Sequence, residues 1–528
     1  MNTTATCLIS AWWTWRNIIL KADPSTPPEA FPPVFETIRE VLRAFPETYL
    51  VGGAVRDLLT GRPVHDFDFV LKQDTVKAGR AVARALDAPH FILDDERQTV
   101  RVILQQANSL PFYIDFAVFQ GQTLEDDLRL RDYAVNAMAL PVADLTALRD
   151  PCGGLADLRS RVLRACSTAS LTADPIRTLR GVRMALSYNL AILPETAALI
   201  RQAAPLLPAA SPERRRDELF KIFNLPRVTT AVRLMDHLGL IPQVFPELET
   251  LKHIPQSSPH VFDVWEHTLH TLESLEDLLS VLAAPPDQEN GGSLILGLAS
   301  LRLGRFRQPL VEHLSQEICP GRPARWLLLL SALYHDAGKP ATRSQGADGR
   351  HHAYGHEMHS AKAAFSLGEG LALANAETAR IELTTRNHMR LHHLAWRGEH
   401  ASRRAIYRYF RDNGEAGLDI GLLSLADTLA TYHTTLPVPT WEHELELVRS
   451  MFEAWWERPE ECVRPQPLLN GNDVIKAFSL TPGPLVGRVL ESLREAQATG
   501  HVTNREQALE HARHTIRELE KKDRPEEK

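Results

Sequence analysis

An α+β fold is predicted, an α/β head followed by a helical remainder, and three features of the chain predict it. Strand-like segments gather between Thr48 and Phe119; they almost vanish after Asp150; and the rest runs as helical periods separated by loops such as Ala283 to Gly292 and Leu436 to Thr440. Prolines 24, 27, 28, 32 and 33 form an entry, and Val34 to Phe45 then has helical spacing. From Thr48, TYLVGGAVRD reads as a strand running into a glycine turn and a helix. FDFVLK, TVRVILQQ and FYIDFAVF read as further strands, and Thr75 to Leu86 as a helix.

With 528 residues, three or four domains are expected. The 44 % hydrophobic and 24 % charged residues are mixed along the length, which excludes general disorder. The five cysteines lie far apart without a CxxC pair, so they are expected to be reduced and to bind no zinc. The apolar stretch Cys7 to Leu20 is interrupted by Arg16 and Asn17 and is too short to span a bilayer, so no membrane role and a cytoplasmic location are expected. A net charge of −7 argues against a protein coated in nucleic acid, but Leu155 to Lys221 carries 11 Arg or Lys against 6 Asp or Glu. That local strip suits a phosphate backbone, with Arg214, Arg215, Arg216 and Lys221 as RNA-binding candidates.

The first chemical constellation is Gly52, Gly53, Arg56, Asp66 and Asp68. Alternate residues of a strand share a face, so Asp66 and Asp68 project together and can hold Mg²⁺ through oxygen ligands. Two glycines let backbone N–H groups approach phosphates closely. Asp115, on another predicted strand, is the third acidic candidate. This combination points to two-metal phosphoryl or nucleotidyl transfer.

GGAVRD followed by DFD resembles the head signature of the tRNA nucleotidyltransferases of the bacterial and eukaryotic class and of bacterial poly(A) polymerases. The resemblance continues in order through DLRLRDYAVNA, DPCGGLADL, ADPIRTLRGVRM and SPERRRDELFKI. It implies a nucleotidyltransferase-type mixed sheet with Asp66, Asp68 and Asp115 catalytic. It also implies a nucleotide site of Gly52, Gly53, Arg56, Arg131, Asp132, Asn136, Asp174, Arg177, Arg180 and Arg183. Asp174 and Arg177 would pair with the base edge of CTP or ATP, a protein template in place of a nucleic-acid one. The chain has Leu130 before Arg131 where the family has a second arginine, Tyr133 where it has phenylalanine, and Ala173 where it commonly has glutamate.

A second series, His267, His335, Asp336, His356, His388 and Asp427, resembles the ligands of an HD-type metal-dependent phosphohydrolase. Imidazoles with a bridging carboxylate suit Mn, Ni, Fe or Zn, and Lys339 could neutralise a phosphate. Histidines 351, 352, 359, 392 and 393 are expected to be exposed or supporting. The segment Leu468 to Leu493 resembles the tail of HD-bearing members.

The resulting expectation is an extension at 1–30, a head at 31–150, a neck at 151–250, an HD domain at 251–435 and a tail at 436–528. The implied activity is addition of CMP and AMP to the 3′ end of tRNA, or another RNA, with Mg²⁺. The alternatives are poly(A), CC-only or A-only addition, and an HD phosphohydrolase with an inactive RNA-binding head.

Overall fold

The computed structural model describes residues 31–64, 66–95, 98–105, 111–284, 293–395 and 401–522. The expected extension at 1–30 lies outside the described residues, and so do 523–528; the last dozen residues, Arg517 to Lys528, read from their charge as a frayed end, are helical as far as Lys522, because the helix from Arg505 continues through them. Two compact units emerge, one of residues 1–211 with 234–243, the other of 212–233 with 244–528. The division passes through the expected 151–250 neck.

In the first unit, helix α1 (Pro33–Leu42) opens with Pro at its first position, where the missing N–H costs nothing. Strands β1 (Thr48–Val51), β2 (Asp66–Leu71), β3 (His90–Asp94), β4 (Thr99–Leu104), β5 (Phe112–Val118) and β6 (Ala139–Pro141) form a six-stranded sheet in the order β3-β4-β5-β2-β1-β6. Only β2 and β5 run parallel, so the sheet is mixed. Between β1 and β2 lies α2 (Gly53–Leu59), and α3 (Thr75–Ala85) connects β2 to β3.

Alternation decides the faces. Phe67, Phe69, Val100, Val102, Ile114 and Phe116 point into a core with Phe35, Ile38, Ala78 and Val82. Each aromatic buried there contributes about 1.5–3 kcal/mol. The period of two then turns Asp66, Asp68, Arg101 and Asp115 to the opposite face. After β6 the first unit continues as helices, of which α4 (Arg177–Tyr188) matters most for the site.

The second unit is almost wholly helical. Its principal elements are α5 (Pro212–Phe223), α6 (Val264–Ala283), α7 (Ala324–Tyr334), α8 (His356–Gly370), α9 (Asn375–Asn387), α10 (Ala416–Tyr432), α11 (Gly471–Phe478) and α12 (Pro484–Ala498). The ARWLLLLSALY run of α7 is buried on nearly every side, so this helix is the axis around which the others pack. The expected turn from Thr481 to Pro484 does separate two helices, α11 and α12. The described cysteines, 152, 166, 319 and 462, are free. Among the described residues no helix is long and apolar enough to cross a membrane.

A buried charge network ties α9 to α10. His313 Nε2 lies 2.7 Å from Asp419 Oδ1, and Arg380 Nε donates to Asp419 Oδ2 at 2.5 Å. Burial alone would push the imidazole down, but Asp419 and Glu415 outweigh burial and Arg380, and its pKa rises to about 9. Because the folded value exceeds the unfolded value of ~6.5, the stabilisation is complete below that pH and is lost as pH rises towards 9. Thermal melts are expected to fall over pH 7–9 by up to roughly 3 kcal/mol. In His313→Gln the slope should disappear.

Candidate functional site

The head site follows from sheet register. Asp68 lies directly opposite Asp115 on parallel β2 and β5, with Asp66 two residues earlier on the same face. On the other side Asp68 faces Val51, the last residue of β1, so the glycine turn begins beside it. Gly52 has φ +70°, and a Cβ there would sit 3.1 Å from Arg131 Nη1 and 3.4 Å from Asp68 Oδ2. Glycine is therefore required both for the turn and for the space beside the carboxyl.

Burial, then repulsion from Asp115 and Asp66, raises the Asp68 pKa to about 6, although Arg131 and Arg101 pull it down. Arg101 forks onto Asp115 at 2.8 and 2.7 Å. A cradle only glycine can leave open, faced by three acids of which one is unfavourable as a bare anion, fits a divalent cation.

Several expected nucleotide-binding residues are already engaged. Arg56 is buried, and it donates to both Asp57 oxygens at 3.0 Å, to Asn136 Oδ1 and to Tyr188 OH. It clamps the helix after the glycine turn to α4. Arg131 is held by Asp127 Oδ2 at 3.1 Å and borders Gly52. Buried Asp132 accepts from Arg180 Nη1 at 2.9 Å, from Asn136 Nδ2 at 3.1 Å and from the Tyr133 amide at 2.8 Å. Burial would raise its pKa, but these partners hold it below the ordinary carboxylate value.

The i,i+3 spacing of Asp174 and Arg177 reads as one helix face, but the two residues do not share a helix. Asp174 is extended, at φ −146° and ψ 95°, just before α4 begins. The pair still approaches to 3.8 Å, because Arg177 Nη1 is fixed by the Leu130 and Ser170 carbonyls at 2.8 and 2.9 Å. Arg177 and Arg180 project from the first turn of α4 and Arg183 from its middle.

Tyr133 has its own consequence. Its hydroxyl donates to the Arg177 carbonyl at 2.8 Å, and a Cβ at Gly181 would lie 2.1 Å from that oxygen. Gly181→Ala is expected to cost about 2–3 kcal/mol through overpacking. Tyr133→Phe should recover part of that loss in the Gly181→Ala background, which urea denaturation of the double-mutant cycle will show.

Of the expected RNA-binding cluster on α5, Arg215 and Arg216 donate to the carbonyls of Gly370 and Ala372 at 3.1 and 2.9 Å. They brace the C-terminal end of α8, where carbonyls lack helical partners. Arg214 and Lys221 remain at the surface.

In the second unit, α6, the end of α7, the start of α8, the end of α9, and α10 bring His267, His335 with Asp336, His356, His388 and Asp427 together, all buried. The Nδ1 atoms of His335, His356 and His388 lie 2.7, 2.8 and 2.7 Å from the carbonyls of Ala332, Ala353 and Thr385. Only N–H can satisfy a carbonyl, so in the neutral rings Nε2 is a bare acceptor. Yet His356 and His388 face each other through Nε2 at 3.2 Å, and His335 and His267 at 3.4 Å. His356 Nε2 is also 3.2 Å from Asp336 Oδ1, and His267 Nε2 is 3.0 Å from Asp427 Oδ1.

Facing acceptors in a buried pocket suit cations, and two ligand groups share Asp336: His267, His335 and Asp336, and Asp336, His356 and His388. Burial would raise the Asp336 pKa, but His335, Lys339 and His356 hold it well below the usual range.

His392, expected to be exposed or supporting, is buried against Asp427 Oδ2 at 2.9 Å. Burial opposes its charge, but Asp427 and Glu444 raise its pKa to about 10. It thus clamps Asp427 from behind. Its i+4 spacing from His388 on a helical run was the available signal. Arg101, by contrast, was missed, and the signal was a lone arginine in the apolar run TVRVIL.

Residues 48–164 match the poly A polymerase head domain, and 189–252 a probable RNA- and SrmB-binding site of polymerase A. Residues 308–432 match the HD domain, and 456–512 a putative tRNA nucleotidyltransferase domain 2. The chain is 32 % identical over 474 residues to the A-adding tRNA nucleotidyltransferase of Deinococcus radiodurans, covering 88 % of this chain and 94 % of that one. It is 31 % identical over 462 residues to the CC-adding tRNA nucleotidyltransferase of Geobacter sulfurreducens, covering 87 % and 90 %. The complex structure of a CCA-adding enzyme with CTP shares the fold, with a TM-score of 0.61, 20 % identity and coverage of 92 % and 96 %. The ordered motifs, the mixed sheet and the near full-length likeness to these relatives together place the chain in the tRNA nucleotidyltransferase family.

Proposed function

We propose that this chain adds CMP and AMP, from CTP and ATP, to the 3′ end of tRNA, with Asp66, Asp68 and Asp115 as the catalytic acids. The observation that carries the reading is Asp68 in register with Asp115 beside a turn that only glycine can form. Asp66, Asp68 and Asp115 would hold Mg²⁺, whose chemistry there is activation of the attacking hydroxyl and neutralisation of the departing pyrophosphate. Gly52 and Gly53 leave room for the triphosphate, and Arg131 brings positive charge to that turn. Asp174 and Arg177 offer an acceptor and donors to the base edge, with Arg177 held in place by two carbonyls. Arg180, anchored on Asp132, supports the same surface.

A second reading rests on the two near full-length relatives, which carry A-adding and CC-adding names. In that reading the chain completes only part of the end.

His267, His335, Asp336, His356, His388 and Asp427 would hold divalent transition metal, whose chemistry there is activation of water against a phosphoester. Lys339 Nζ, 2.6 Å from Asp336 Oδ2 and bonded to Gln256, supplies a cation beside the reacting phosphate.

The test crosses two double variants with two assays. Asp66→Ala with Asp68→Ala should end nucleotide addition and spare metal-dependent phosphoester hydrolysis; His335→Ala with Asp336→Ala should do the reverse. If both variants lose both activities, two separate sites do not exist.

A further inference from the structure

The outer strand of the head sheet is uncovered in a way the rest of the sheet is not. Phe91, Ile92 and Leu93 of β3 are 52, 44 and 52 % exposed. Consecutive exposed apolar residues on an edge strand are a hazard for aggregation, and proteins keep such patches where something binds.

Register says what lies beside them. Phe91 pairs with Arg101, Arg101 with Asp115, and Asp115 with Asp68. All four side chains therefore share one face of the sheet. The other face of the same strands is the buried core of Val100, Val102, Ile114, Phe116, Phe67 and Phe69. Three strand spacings of ~4.8 Å put Phe91 about 14 Å from Asp68. That is within reach of an RNA strand whose terminal hydroxyl reacts at Asp68. Arg101 stands between them, half-exposed and locked onto Asp115, and adds positive charge along the path.

An aromatic side chain in line with an arginine on an open sheet face is a recurring way of holding unpaired nucleic acid without reading its sequence. We propose that Phe91 stacks an unpaired base of the acceptor RNA, one or two nucleotides behind the reacting 3′ hydroxyl. The occupant is RNA, and not a second protein chain, because the patch is continuous with the acidic face on which the 3′ end must lie. The inference rests on reading that face as the site of nucleotide addition.

The experiment is steady-state addition by the full-length protein to a tRNA lacking its 3′ end, comparing Phe91→Ala, Phe91→Trp and Asp68→Asn. Phe91→Ala should raise the KM for tRNA about 5- to 100-fold, the loss of one base–aromatic stack. Its KM for CTP or ATP, its kcat at saturating tRNA and its melting temperature should stay at wild-type values, since the side chain is half in solvent. Phe91→Trp should restore the tRNA KM. An unchanged tRNA KM in Phe91→Ala overturns the proposal, and so does a change confined to self-association on a sizing column, which would mean that a second copy covers the strand. Addition that survives Asp68→Asn would overturn the reading of the face itself, whatever Phe91 does.

Discussion

Asp68→Asn is expected to cut nucleotide addition by at least about 10³-fold, roughly 4 kcal/mol of lost transition-state stabilisation, while raising the stability of the metal-free protein above pH 6. The two effects have one cause. The side chain is half-buried, faces Asp115 in register and has Asp66 two residues away, so its anion is unfavourable unless a cation is present. Its folded pKa of about 6 lies above the unfolded value of ~3.9. The protonated form is thus the better fitted one, and stability present below pH 4 is lost as pH rises through 6. Asparagine keeps the shape, removes the charge and abolishes the slope. Melts without metal from pH 4 to 8, read beside the addition assay, check both parts. An Asp68→Asn protein that melts lower than wild type at pH 8 would mean that the carboxylate is held by partners and not poised for a cation.

Asp336→Ala should empty the second site while leaving nucleotide addition within about twofold of wild type. Asp336 is the one residue common to both ligand groups, so its loss removes a donor from each. Hydrolysis of a phosphoester is expected to fall to background, and transition metal retained after dialysis, measured by elemental analysis, to fall with it. A stability cost of about 3–5 kcal/mol should accompany the change in metal-free protein. The reason is that Asp336 is charged and buried between Lys339, His335 and His356, and removing it takes from Lys339 the carboxylate it is paired with. Retained metal in Asp336→Ala would contradict the shared-ligand arrangement.

What the sequence could reveal divides along the range of the interaction. The alternation in DFDFVL announces both the buried phenylalanines and the common face of the acids, because a strand's period is local. The residues of the second constellation were legible from their order, and the structure brings them together, although His267 and Asp427 meet across 160 positions of sequence. The hidden parts depend on partners far away. Nothing local to Arg56 announces that Tyr188 and Asn136, 132 and 80 residues on, take hydrogen bonds from its guanidinium. The bonds of Arg215 and Arg216 to the carbonyls at the end of α8, more than 150 residues on, are likewise not announced by the basic run itself. Asp174 and Arg177 have the i,i+3 spacing of a helix, yet Asp174 is extended, and that spacing alone does not separate a helix interior from its entrance. Arg101 was passed over, and the supporting role of His392 could not be told from an exposed one, for the same reason: the carboxylates they hold come from neighbouring elements.

The most direct measurement is the length of product formed on a tRNA lacking its 3′ end, with Mg²⁺ and CTP alone, ATP alone or both, alongside a tRNA that already ends in CC. The account predicts growth by three nucleotides only when both nucleotides are present. In the specialist reading, two cytidines appear with CTP, or one adenosine is added only to the tRNA ending in CC. Long adenosine tails, or no growth on either tRNA, would contradict it.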